Sequence, residues 1–455
     1  MLRNSLSAYF IAIISVFLYV GIGYNVQRYE TAMLLSLYAV LFALYLWITF
    51  SKHARNIDFW IGCAIAFRFS LLFSTPNLSE DFYRFIWDGR LLASGYHPFA
   101  HPPSFYIENN ILAIGIDESL YSKLNSKHYF TIYPPVAQFF FWVSAKVSSS
   151  VYGSLMVLKT FNFISEIGSI FLLKKLLQEF NLSSQRVLIY ALNPLIVIEL
   201  TGNAHFEALM IFFFVLSLYF MFKKQSTFSA ITMGLSIGVK LIPFIFLPAI
   251  NRIDGWKNAG RYFAVVSATL ILLFLPLLNA SLLTGLGNSI PYFLSKFEFN
   301  ASIYYLIRAV GFAVSGFNII AVAGPLLSVV AFFLILRISM KGLPKFLLQQ
   351  PLGGASDRIT NILEYIHIVA TCLLIYYLFT TILHPWYIST LLALCVFTNF
   401  RFMIVWSFMI FFTYAGYTRE GFSENLWLIA LEYFSVLGFF SYELWRKLSR
   451  KSIAQ

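Results

Sequence analysis

Charge is what this chain has least of. Only 11% of its 455 residues are Asp, Glu, Lys or Arg, whereas soluble domains carry about 25%. A soluble protein of this length could not cover its surface with so few charges. That excludes a soluble globular enzyme, a disordered chain and a nucleic-acid-binding protein. Cysteine is scarce too. Cys63, Cys372 and Cys395 fall within apolar segments, without CxxC spacing or a neighbouring His, and read as small hydrophobes. Neither GxGxxG nor GxxxxGK[ST] occurs. No stretch is polar enough to form a cytosolic domain for a nucleotide sugar.

What the chain has in plenty is apolar and aromatic. Hydrophobic residues make up 59%, with 50 Phe, 27 Tyr and 9 Trp. At about 20 residues per spanning helix, that content suffices for roughly 11 to 13 spans. The net charge of +12 needs no anionic partner. Lys and Arg gather in short loops between apolar segments, as the positive-inside rule requires. Residues 7–24 follow Met1-Leu2-Arg3-Asn4 and lead to no small-residue cleavage site, so they read as a first span rather than a signal peptide.

Basic turns orient the chain. Arg3 and the 51–56 turn, with Lys52 and Arg55, mark the cytoplasmic side. So do Lys174-Lys175, Lys223-Lys224, then Lys341, Lys345 and Arg358, and finally Arg446-Lys447. The predicted architecture is an all-α, polytopic transmembrane helical bundle of about 12 crossings plus half-helices. It forms a single integral membrane domain over 1–455, with both termini cytoplasmic, in the plasma (inner) membrane. Residues 75–135 form the first long outer loop, the one long polar segment. It holds Glu80, Asp81, Asp88, Glu108, Asp117 and Glu118. Residues 226–250 are flanked by basic residues on both sides yet are too short for two crossings at 1.5 Å per residue. A re-entrant pair of half-helices turning near Lys240-Leu241-Ile242-Pro243 is expected there.

Four places hold polar groups fit for chemistry. In the run Ser79 to Arg90, Asp81, Arg84 and Asp88 share one helical face by their i, i+3, i+7 spacing. A carboxylate held at a membrane interface is a candidate general base for a sugar hydroxyl. The same residues would equally make an N-cap and internal ion pairs. Asn203, His205 and Glu207 alternate at a helix entrance, where ionisable residues face a cavity. They suit a hydrogen-bonding role toward a substrate headgroup. His205 and Glu207 admit a divalent metal, although two ligands at i, i+2 make no site alone. Lys240 at a helix break suits a phosphate, unless it snorkels to the interface. In His384-Pro385-Trp386-Tyr387, the aromatics are belt anchors or His384 bonds a donor phosphate.

Taken together, these pieces resemble the GT-C class of polytopic glycosyltransferases that use polyprenyl-phosphate sugars. They are most similar to the bacterial polyprenol-phosphate mannosyltransferase-type members, and more distantly to the mannosyltransferases of GPI-anchor assembly. The resemblance rests on Asp81 to Arg90 with Gly95-Tyr96-His97-Pro98-Phe99, then Ile132-Tyr133-Pro134-Pro135. It continues through Gly202 to Glu207, Lys240 to Pro243, and His384 to Tyr387. Position 97 is His where the family pattern often has Asn.

The resemblance implies that the first outer loop holds the catalytic acid, Asp81 with Glu80 as neighbour. It implies an inverting transfer from a lipid-phosphate donor with no obligatory cofactor. Substrate contacts are expected from Arg84, Asp88, Arg90, Tyr133, Asn203, His205, Glu207, Lys240, His384 and Trp386. No metal ligand is assigned. The expected function is transfer of a hexose, mannose first, from a polyprenyl-phosphate donor to a glycan or lipid acceptor at the outer face. The partners are that donor, that acceptor and membrane lipid, with no nucleic acid. The rival is a polytopic transporter or lipid flippase. It would spread charges through several spans and show a two-fold repeat.

Overall fold

The computed structural model describes residues 2–111, 113, 115–344, 347–348 and 356–453; Lys345 lies outside them. Among the described residues the chain is built of helices, with no strand beyond two isolated bridges. Long apolar runs become long helices, because each backbone group must be satisfied within its own segment. Seven are long and apolar enough to cross a membrane, from Leu6–Asn25 to Leu426–Ser449. An eighth arises if Pro194–Gly202 and Glu207–Phe222, bent by 112°, count as one broken span.

The helical membrane architecture is therefore the expected one, and among the described residues seven or eight of about twelve expected crossings are full-length helices. Several expected crossings are short helices, Ile57–Leu72, Pro385–Cys395 and Phe402–Gly416, and Ser226–Val239 is a half-helix ending at the Lys240 break, where a re-entrant pair is expected. Fourteen residues at 1.5 Å rise reach about 21 Å, short of a hydrocarbon core of about 30 Å. Hydropathy registers apolar length, and helix breaks within it go unseen.

Charges inside the bundle are paired. Arg68 donates to the Glu166 carboxylate from Nε (3.1 Å) and Nη2 (2.9 Å), and both side chains are fully buried. The Tyr190 hydroxyl donates to the same carboxylate at 2.5 Å. Lys159, one of the lysines of the Val151–Glu179 helix, donates to the carbonyls of Leu71 and Ser74, both at 2.6 Å. Lys159 and Glu166, seven residues apart, thus bind different partners across the bundle. Each charge gains a partner that lipid could not supply.

Three local features position the candidate site. The Asp81–Ala93 helix packs against Pro135–Val147 at contact distance. A Cβ on Gly89 would come 2.2 Å from the Phe141 carbonyl oxygen, so only glycine permits this approach. The helix turn at 202–207 carries Ala204 in the left-handed region (φ 63°). Asn162 holds that turn, donating to the carbonyls of Leu200 (3.3 Å) and His205 (3.2 Å). Finally, the Ser226–Val239 helix ends at Lys240, whose backbone is extended (φ −148°, ψ 144°). A 3₁₀-helix, Ile242–Ile250, resumes after the break with Pro243 in its first turn. It leads directly into Asn251–Phe274, which is kinked at Asp254-Gly255.

Candidate active site

Lys240 is the centre of the polar cluster. Its ammonium pairs with the Glu207 carboxylate and lies 5.1 Å above the Tyr387 ring. Glu207 is fully buried, while the Lys240 side chain keeps 17% exposure. A buried carboxylate needs such a partner. Its second oxygen has no hydrogen-bond partner among the described residues.

Three rings stack beside this pair. His205 lies on one side of Trp386, with centroids 3.6 Å apart and planes at 16°. His384 lies 4.5 Å from Trp386, at 7°. Trp386 is thereby held between two imidazoles, one from the broken helix and one from the 380–384 loop. His205 Nε2 is buried, has no hydrogen bond among the described residues and lies 3.5 Å from Glu199 Oε2. Glu199 is held by the Tyr414 hydroxyl (2.7 Å) and Asn203 Nδ2 (3.1 Å). These two buried polar atoms, on Glu207 and His205, without partners among the described residues, are what a ligand's hydroxyls could satisfy. Burial and the Lys240 charge push the His384 imidazole down to about 3. It is therefore neutral at ordinary pH and can donate an N–H.

Asp81 stands at the outer edge of this cluster, half-buried, at the first turn of its helix. Its carboxylate accepts from Asn125 Nδ2 at 2.9 Å. Burial pushes the carboxyl above its usual range, with Glu80 adding to the rise; Asn125 and the Lys240 cation oppose it. Asp81 thus lies within the field of Lys240, although 159 positions separate them in sequence. Tyr133 is at the same edge, packed on Phe85 (5.0 Å) and electrostatically coupled to Asp81.

The other expected site residues point elsewhere. Glu80 is ion-paired with Arg28 at 2.6 Å, and Arg28 covers the Tyr417 ring at 4.7 Å. Arg84 donates to Asp88 (2.8 Å) and to the carbonyls of Ser126 (3.1 Å) and Tyr129 (2.9 Å). Asp88, fully buried, also accepts from Thr131 (2.5 Å) and Gln138 (3.1 Å). Arg90 donates to the carbonyls of Gly115 (2.5 Å) and Ser149 (2.6 Å). These three residues staple the outer loop to its helix, and the cluster around Lys240 does not include them. Sequence reasoning missed Asn125, which carries no local signal. It also named Tyr387 only within its motif, although the ring carries Lys240.

Residues 15–253 match the family described as alpha-(1->6)-mannopyranosyltransferase, N-terminal domain. That is just over half of the chain. The chain belongs to this family. It is a multi-pass membrane protein of mannosyltransferase type, with a sugar donor and a glycan acceptor as partners. The matched stretch contains Asp81, Asn203, His205, Glu207 and Lys240, whereas His384 and Trp386 come from the part beyond it. No curated protein matches the chain.

A divalent metal needs three or more ligating side chains. Among the described residues no group of three or more His, Cys, Asp and Glu side chains is placed to hold one. Glu207 is neutralised by Lys240, and His205 is turned onto Trp386. No step below is routed through a metal.

Proposed function

We propose that the chain transfers mannose from a polyprenyl-phosphate mannose to a glycan or lipid acceptor at the outer face of the plasma membrane. The new bond is the α-(1→6) linkage carried in the family's description. The observation that supports this reading is that Asp81, a carboxylate of the 75–135 loop, lies within the electrostatic field of Lys240, which the His205–Trp386–His384 stack adjoins. A base and a cation in one outer cluster answer the two needs of such a transfer.

The step is an inverting displacement. The acceptor hydroxyl oxygen attacks the anomeric carbon, and its proton passes to the Asp81 carboxylate. The bond from anomeric carbon to phosphate oxygen breaks, and its electron pair leaves with the lipid phosphate. Lys240, partly released from Glu207, and the neutral His384 N–H stabilise the charge that develops there. Asn203, His205 and Glu207 line the cavity of the sugar headgroup. The transfer needs no obligatory cofactor, and both termini lie in the cytoplasm.

The test uses the purified chain in lipid nanodiscs with a mannan oligosaccharide acceptor. Polyprenyl-phosphate mannose is compared with a nucleotide-activated mannose, and the product linkage is read by NMR. Expected are 6-linked mannose from the lipid donor, unaffected by a chelator, and none from the nucleotide donor. Transfer from the nucleotide donor alone overturns the reading. A lipid moved across the bilayer without sugar transfer supports the transporter instead.

A further inference from the structure

Asn125 lies 44 residues beyond Asp81, in an exposed stretch after the short Glu118–Ser122 helix. An exposed asparagine in a loop is ordinarily free to turn. Here the backbone on its C-terminal side is clamped. Arg84, one turn along the helix from Asp81, donates to the carbonyls of Ser126 and Tyr129. The Ser104 amide donates to the carbonyl of Lys127 between them (2.9 Å). On the N-terminal side the Leu124 side chain is buried. Arg84 is itself set by Asp88, which Thr131 and Gln138 hold. One arginine therefore fixes the loop to the same helix that presents Asp81, and Asn125 comes to lie over that carboxylate.

The contact has a defined sense. A carboxylate only accepts, so the amide must present its NH₂ group, and Nδ2 meets Oδ1 at 2.9 Å. Among the described residues the other carboxylate oxygen, Oδ2, carries no hydrogen bond. A donor on Oδ1 keeps the carboxylate from rotating and leaves one oxygen to meet a hydroxyl.

We propose that Asn125 is a positioning residue for transfer, holding Oδ1 of Asp81 so that Oδ2 takes the acceptor's proton. This rests on the reading of Asp81 as the base. Arg84 and Asp88 act through the same loop, which gives a task to two residues that stand outside the Lys240 cluster.

The experiment measures mannosyl transfer from polyprenyl-phosphate mannose by the full chain in nanodiscs, as kcat and donor KM against pH. Asn125→Ala is expected to lower kcat about tenfold, with donor KM within twofold, and to move the acidic limb to higher pH. That follows because a hydrogen bond to the ionised carboxylate is lost. Asn125→Gln is expected to restore part of kcat. Asn125→Asp, which sets a like charge beside Asp81, is expected to move the limb further than Ala does. Asn125→Ala with an unmoved limb and unchanged kcat, alongside an inactive Asp81→Asn, overturns the positioning role alone. An active Asp81→Asn overturns the base assignment and the positioning role with it. A purely structural role predicts a lower yield or melting temperature with an unmoved limb, which also overturns the proposal.

Discussion

Replacing Lys240 with Met separates what this lysine does for the fold from what it does for transfer. In the resting protein its ammonium neutralises Glu207, whose side chain is fully buried and has one oxygen without a partner. Removing one member of a buried ion pair destabilises by about 3–5 kcal/mol. Protonation of the orphaned carboxylate brings the figure toward the lower end. Lys240→Met alone is therefore expected to lower both the melting temperature and the transfer rate. Lys240→Met with Glu207→Gln removes the uncompensated charge, and the melting temperature should return most of the way. Transfer should not return. The cation that meets the departing phosphate is still absent, and losing one such stabilising group lowers kcat about 100- to 1,000-fold. The assay pairs thermal unfolding in detergent with kcat for polyprenyl-phosphate mannose. A double variant that regains both stability and transfer to within threefold of the parent refutes the phosphate role and leaves Lys240 as a structural counter-ion.

Two further outcomes follow from the same geometry. Burial and Glu80 raise the Asp81 carboxyl above the ordinary aspartate value, and the base works only when ionised. Transfer is therefore present above that raised value and lost as pH falls through it, giving a kcat–pH limb above the usual range near 3.9; a limb at or below that range contradicts the assignment. Arg68→Met leaves Glu166 buried without its cation and should destabilise the bundle by about 3–5 kcal/mol, seen as a lower melting temperature, while kcat of the surviving folded fraction stays within threefold.

Much of the site stands out in the sequence because polar residues are rare in this chain. Asn203, His205, Glu207, Lys240 and His384 interrupt apolar surroundings, Asp81 lies in the one long polar segment, and prolines at 134, 243 and 385 mark where helices break. Spacing does not say which polar groups meet. Arg84 and Asp88 share a helical face with Asp81, but the fold turns them toward the 126–131 stretch. Arg90 closes on carbonyls 25 and 59 positions away. Those partners depend on how the outer loop folds back, which no local pattern encodes. Asn125 was invisible for the same reason: its importance is a contact 44 positions distant. Hydropathy registers apolar length and not the helix breaks within it. Pro385–Cys395 and Phe402–Gly416 are apolar yet too short to cross.

The central claim is that Asp81 takes the acceptor's proton in mannosyl transfer from a lipid-phosphate donor. Its most direct measurement is kcat of Asp81→Asn in nanodiscs, with polyprenyl-phosphate mannose and a mannan acceptor. Asparagine keeps the size and position but cannot act as a base, so a loss of about 100- to 10,000-fold is expected, with donor binding retained. Transfer by Asp81→Asn at the parent rate contradicts the account.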